Sequence, residues 1–179
     1  RQLPMKAIKL NQGRVALVDD WAFSPLSRFE WKAKQSANTW YAYRAETDCD
    51  GKVQVVFMHR EVLRLAGRPL PPGMVCDHRD CDGLNNQRDN LRAATVSQNA
   101  MNREGSRNGT SRYKGVSRAS DCSRWVAAIC VNGKSIRLGS FHAARQAAKA
   151  YDAADQKYFG EFAWLNFPPT EEVRTAVVA

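Results

Sequence analysis

Between residues 77 and 99 the chain reads Asp77-His78-Arg79-Asp80-Cys81-Asp82-Gly83-Leu84-Asn85-Asn86-Gln87-Arg88-Asp89-Asn90-Leu91-Arg92, then closes on Thr95-Val96-Ser97-Gln98-Asn99. Hydrolysis of a phosphodiester needs an activated water, a cation to neutralise charge on the phosphate and leaving oxygen, and groups that position the backbone. All three kinds of group stand in this segment. Asp77 and Asn99 offer hard oxygen donors of the type that suits Mg2+ or Mn2+. His78 titrates near neutrality and can accept a proton from water. Arg88 and Arg92 supply positive charge for a nucleic-acid backbone. Asp and Asn are also turn formers, and a histidine is equally at home as a hydrogen-bonded polar residue, so spacing alone leaves a purely structural reading open. Cys76 and Cys81 bracket His78 but lack the two closely spaced ligand pairs of a structural zinc site, and they read as small buried hydrophobes.

The elements around these residues must fold them together. Pro72-Gly73 leads into Met74–Asp77, a short strand; Asn90–Thr95 is a second; Thr95 and Gln98 form a Thr-x-x-Gln capping box, which starts a helix and puts Asn99 in or just beyond its first turn. Upstream, Val15–Val18, Trp40–Tyr43 and Lys52–Met58 read as strands, with Asp50-Gly51 as a turn. His59–Ala66 has apolar residues at helical spacing and ends at Gly67 and the Pro69/Pro71/Pro72 cluster. Trp21, Phe23, Phe29, Trp31, Trp40 and Tyr41 are expected in the core. His59, at the start of that helix, is expected to make a structural hydrogen bond.

Residues 103–112, Arg-Glu-Gly-Ser-Arg-Asn-Gly-Thr-Ser-Arg, carry no apolar side chain and read as a linker, in which Arg107 and Arg112 can follow a nucleic-acid backbone. Beyond it, Tyr113–Ala119, Arg124–Val131 and Lys134–Phe141 read as strands. Asn132-Gly133 joins the last two as a tight hairpin, because both turn residues need positive φ. Trp125, Ala127, Ile129 and Val131 alternate with Val126, Ala128 and Cys130, so one face is buried and one presented. Ala143–Tyr158 is a helix whose stripe of Ala143, Ala144, Ala147, Ala148, Tyr151, Ala154 and Tyr158 allows close approach to a sheet. His142 precedes it as a helix-start residue with a possible phosphate contact.

Charge is concentrated in the same region. Of a net +9, residues 103–149 hold ten basic and two acidic side chains, an excess of eight. Such a block displaces counterions from a nucleic acid, and Lys114, Arg118, Arg124, Lys134 and Arg137 crowd the predicted sheet and its turns. No stretch approaches the ~18 apolar residues of a membrane span, and Arg1–Leu10 has no secretory pattern; with five unpatterned cysteines, an intracellular location is expected.

The residues 77–102 resemble the HNH nuclease motif, in the homing-endonuclease branch where an Asp-His pair is followed by Gly-x-x-Asn, Asn-Leu-Arg and a final Gln-Asn; Met58-His59-Arg60 resembles the strand end that this branch carries upstream. The resemblance implies a hairpin and helix clasping one divalent cation, with Asp77 and Asn99 as ligands, His78 as general base and Asn90 orienting the histidine loop. Asn99 stands where many members have a histidine, and Cys81 where a glycine is common. The second half resembles the APETALA2/ethylene-response-factor DNA-binding domain through Tyr113-Lys114-Gly115-Val116, Trp125, Leu138-Gly139-Ser140-Phe141, Ala147-Ala148-x-Ala150-Tyr151-Asp152 and Asn166-Phe167-Pro168. That resemblance implies a sheet laid in a DNA major groove. Lys114 and Arg137 match strand positions, while Ser117, Ala119, Ala128 and Cys130 stand at several of the usual base-reading arginine positions.

The expected fold is α+β: a small N-terminal α+β unit with a ββα-metal (HNH) motif, then a three-stranded antiparallel sheet packed on one helix. The expected domains are 1–102 for the nuclease (core about 72–102), 103–112 for a basic linker, 113–168 for DNA binding and 169–179 for a tail. Expected function is site-specific cleavage of double-stranded DNA with Mg2+ or Mn2+, one nick per active site, with a homodimer on DNA as one route to double-strand cutting. A non-catalytic DNA-binding regulator built on the same scaffold is the alternative; an RNA-directed protein fits less well, because the sheet suits the wider groove of DNA.

Overall fold

The computed structural model describes residues 4–36, 39–105, 109–121 and 123–168. The chain divides into two compact units, Arg1–Asn99 and Ala100–Ala179. The architecture is α+β, with a β-hairpin and short helix closing the first unit and a three-stranded sheet packed on a helix in the second.

In the first unit, β1 (Met5–Lys9) and β2 (Val15–Asp19) form an antiparallel hairpin, and α1 (Asp20–Leu26) follows directly. Strands β3 (Lys32–Ser36), β4 (Thr39–Thr47) and β5 (Val53–Phe57) make an antiparallel sheet, with β4 central. Helix α2 (Met58–Leu65) leaves β5 without a loop. Ala33 and Ala42, cross-strand partners, turn to the core, where Val18, Ala22, Leu26, Met58, Val62 and Leu63 meet a Trp31 that is 2% exposed. The Trp31 indole N–H donates to the Leu26 carbonyl over 2.8 Å, so the largest core side chain is also polar-satisfied. Two of the expected core aromatics are elsewhere: Trp21 and Phe29 are 40% and 43% exposed. Ala22 and Leu26 form the buried i, i+4 stripe of α1, which rotates Trp21 outward. Phe29 instead lies against the Arg44 guanidinium, 4.2 Å from its ring centre.

The reactive segment forms β6 (Val75–His78), a 3-10 turn at Arg88–Asn90, β7 (Leu91–Ala94) and α3 (Val96–Met101). The capping box forms as expected: Gln98 N–H donates to Thr95 Oγ1, and Thr95 N–H donates to Gln98 Oε1.

In the second unit β8 (Val116–Arg118), β9 (Trp125–Val131) and β10 (Lys134–Phe141) form an antiparallel sheet, with α4 (Ala144–Phe159) packed on it. Asn132 and Gly133 take φ of 51° and 76°, which gives the hairpin turn that the dipeptide predicts. Ala127 and Ile129 are buried, while Cys130 is exposed. The first strand is shorter than its sequence suggests, because Gly115 sits at φ 71° in a turn and a Cβ there would fall inside the Tyr151 ring. On α4 the buried stripe is Ala147, Ala148, Tyr151 and Asp155; Tyr158, expected on that stripe, is 43% exposed. Asn166 ties the end of the unit down: its backbone and side-chain N–H groups donate to Asp152 Oδ1, and its Oδ1 accepts from Lys114 N–H.

Candidate active site

Register on the β6–β7 hairpin sets Asp77 opposite Arg92 and His78 opposite Leu91. Residues 79–90 then loop out and return. Asn90 closes this loop at both ends. Its Nδ2 donates to Asp80 Oδ1 (2.9 Å) and to the Asn85 carbonyl (2.8 Å), while its Oδ1 accepts from Asp80 N–H (3.1 Å). Asp80 also accepts from Asp82 N–H and Asn85 Nδ2, so one carboxylate and one carboxamide organise the turn that follows His78. The left-handed position in this loop is Cys81, at φ 63°, where the chain carries a side chain instead of the more tolerant glycine.

The loop is clamped from outside by residues that the sequence reading did not single out. Leu17 on β2 exchanges backbone hydrogen bonds with Leu84 and Asn86, both 2.8 Å. Buried Asp19 accepts from Arg88 N–H at 2.7 Å, and Thr39 Oγ1 accepts from Gly83 N–H at 2.9 Å. Gly83 is a requirement of that contact: a Cβ there would collide with the Trp40 carbonyl oxygen and the Tyr41 ring. The β2 hairpin and β4 therefore act as a rigid mount for the loop that carries His78. The only sequence signal for this was Asp19 at a strand end, since backbone pairings across 67 to 69 residues leave no local pattern.

His78 is 5% exposed and lies among rings, 5.8 Å from Tyr41 and 5.2 Å from His59 between ring centres. Burial lowers its pKa, opposed by the nearby Asp80 charge, a hydrogen bond with Asn86 and the Asp77 and Asp82 charges. The imidazole is thus neutral at physiological pH, the state that accepts a proton. Burial, with Asp77 next to it, pushes the Cys76 thiol up to about 12. Tyr41 is likewise raised, first by burial and then by Cys76, Asp77 and Cys81.

Asp77 is 2% exposed, and its Oδ2 accepts from Arg92 Nε at 2.6 Å. Asn99 is half-buried in α3, with its N–H on the Thr95 carbonyl. Arg92, expected at the DNA surface, is instead 5% exposed and committed to Asp77, because the hairpin register makes the two direct cross-strand neighbours. Arg88 is partly exposed beside Asp89.

In the second unit Arg118, Arg124, Lys134 and Arg137 are exposed, as is Arg112 over Tyr113. Arg118 stacks 4.1 Å from the Trp125 ring centre, and Arg137 donates to Ser140 Oγ at 2.6 Å. Lys114 departs from expectation: its ammonium donates to the Met101 carbonyl at 2.6 Å and lies 3.6 Å from buried Asp155, so it neutralises an interior carboxylate and leaves the presented face. Arg107 and the tail 169–179 lie outside the described residues. His142 is exposed, and α4 is capped at Ala143, which offers no side-chain hydrogen bond.

A hairpin carrying Asp-His, closed by an asparagine and followed by a short helix bearing Asn99, is the arrangement of a ββα nuclease. The chain belongs to the HNH endonuclease family: that family's model matches residues 56–101, and an uncharacterized HNH endonuclease of Acanthamoeba polyphaga mimivirus is 32% identical over 160 residues, 87% of this chain and 76% of that protein. Protein 3.8 of Escherichia phage T7 is 34% identical over 76 residues, 42% of this chain and 63% of that protein. An AP2-like ethylene-responsive transcription factor of Arabidopsis thaliana is 42% identical over 65 residues; these are 36% of this chain but 13% of the plant protein. The second unit is thus similar to AP2/ERF domains, and the chain spans a small part of that relative.

Proposed function

We propose that the chain is a site-specific DNA endonuclease of the homing type that nicks one strand of a duplex per active site. The observation that carries this reading is the buried His78 next to Asp77 on a hairpin whose loop is locked by Asn90. In this reading His78 Nε2 or Nδ1 takes the proton of the attacking water, and Asn90 and Asp80 hold the loop so that the imidazole stays placed. Asp77 and Asn99 fit Mg2+ or Mn2+ by the chemistry of their oxygens. Among the described residues no group of three His, Cys, Asp or Glu side chains gathers into a closed site, and a cation held by two protein oxygens, with water and phosphate completing its shell, is the usual Mg2+ arrangement. When bound, the cation neutralises charge on the scissile phosphate and leaving oxygen.

Residues 1–102 serve as the nuclease domain, 103–112 as a linker and 113–168 as the DNA-holding domain. Arg118, Arg124, Lys134 and Arg137, exposed on or beside the sheet, carry phosphate and base contacts, with Arg112 and Arg88 as further backbone contacts.

One observation favours a second reading. The Asp77 carboxylate is held by Arg92, which is what a retired, non-catalytic scaffold in a DNA-binding regulator would also show. Supercoiled plasmid incubated with Mg2+ or Mn2+, and with chelator, separates the two. Metal-dependent conversion to open circles is the expected result; plasmid that is retarded but intact under every condition, once absence of a target site is excluded, favours the regulator.

A further inference from the structure

His59 lies at the junction of β5 and α2, 8% exposed, in a cluster of four rings. Its imidazole stacks on Phe57 at 5.3 Å with 9° between planes, meets Tyr41 at 5.7 Å, and stands at 85° to the His78 ring with centres 5.2 Å apart. Phe57 and Tyr41 touch in turn at 6.2 Å. The structural hydrogen bond expected of His59 is missing at Nδ1, which is buried with no partner among the described residues. A histidine kept for its hydrogen bonds satisfies its buried nitrogens. What His59 supplies to its surroundings is a flat ring between Phe57 and His78.

A general base needs such a neighbour. The outer torsion of histidine is broad and roughly two-fold, so the backbone alone does not fix the ring plane. A displacement near 1 Å of a catalytic group can cost about a hundredfold in rate. Asn90 and Asp80 hold the loop beyond His78, Asn86 bonds the imidazole, and the rings of Tyr41 and His59 pack against it, His59 at the shorter distance. We propose that His59 is a positioning residue for His78, its ring wedged between Phe57 and the catalytic imidazole so as to fix that imidazole's plane. This rests on the reading of His78 as the general base. His59 does not itself move a proton: burial, reinforced by the neighbouring His78 and Arg60, lowers its pKa to about 3, so it carries no proton to give at neutral pH.

The test uses the full chain as parent, His59→Phe, His59→Leu and His59→Ala. Single-turnover nicking of supercoiled plasmid, retention of a duplex on a gel, and the ring-proton NMR signals of His78, identified by their loss in His78→Ala, are measured together. His59→Leu and His59→Ala should slow nicking by about 10- to 100-fold with retention unchanged, while His59→Phe, which keeps a ring, stays within about threefold of the parent. The His78 ring signals should shift in the first two and return in the third; if alanine prevents folding, the leucine variant decides. Parent-like nicking in His59→Leu, or a loss in His59→Phe as large as in His59→Leu, overturns the proposal. A parent that does not nick, once absence of a target site is excluded, counts against the nuclease reading, and in that case His78 signals indifferent to loss of the ring at position 59 overturn the positioning role separately.

Discussion

Arg92 Nε and Asp77 Oδ2 meet at 2.6 Å across the β6–β7 hairpin, with the two side chains 6% and 3% exposed. A buried charge pair of this kind is costly to break on one side only, because the remaining ion is left in a medium that solvates it poorly. Arg92→Ala should therefore destabilise the first unit by about 3–5 kcal/mol, whereas the joint replacement Asp77→Leu with Arg92→Met should recover much of that loss. Urea unfolding followed through the buried Trp31 reports both. A single variant as stable as the parent would mean that the pair is dispensable.

The depressed His59 pKa, about 3 against an ordinary 6.5, links stability to pH. Between those values the unfolded chain binds a proton that the folded chain does not. Stability is therefore full above about pH 6.5 and falls as pH drops toward 3, by up to about 1.4 kcal/mol per pH unit from this group. His78, lowered by burial as well, adds in the same direction. In a urea series from about pH 7 to about pH 4, His59→Phe should lose stability less steeply than the parent. Parallel curves would contradict the burial of a neutral His59.

Cys81 holds φ at 63°. A side chain in that region costs about 1–2 kcal/mol, part of which glycine returns through its freer unfolded chain. Cys81→Gly should stabilise the first unit by about 0.5–1 kcal/mol in urea unfolding. A loss of stability would show that contacts of the thiol outweigh the strain.

Arg137 and Lys114 should part company. Arg137 is exposed on the sheet, so Arg137→Ala should weaken duplex binding and reduce the slope of log K against log salt by about one if it meets a phosphate, or less if it reads a base. Lys114→Ala removes the counter-ion of buried Asp155 and should lower the stability of the second unit, with its salt slope nearly unchanged. Fluorescence anisotropy over a salt series, with thermal melts, distinguishes the two; a Lys114→Ala slope change equal to that of Arg137→Ala would return Lys114 to the interface.

Much of this was legible in the sequence because it is local. The Asn132-Gly133 turn, the Thr95/Gln98 box, the alternation of β9 and the alanine face of α4 each state their geometry within a few residues. The Asp-His strand and the following helix were legible for the same reason, whereas the role of Asn90 came from the family resemblance. What escaped was set by distance in the chain. The grip of Leu17, Asp19 and Thr39 on the loop runs through backbone groups that any residue owns, and the inward turn of Lys114 depends on an aspartate on α4. Arg92 was placed outside because arginine beside a phosphate-handling motif reads as surface charge, whereas the hairpin register gave it a carboxylate as neighbour. His59 shows the reverse case, where the residue was noticed but its role depended on three rings from three strands.

The most direct measurement is the single-turnover rate of plasmid nicking by the parent and by His78→Ala, with Mg2+ or Mn2+ present, beside duplex binding by each. A fall of about 10²–10⁴ in rate with binding retained is the expected outcome. Equal nicking by the two proteins would remove His78 from the chemistry and with it the active site described above.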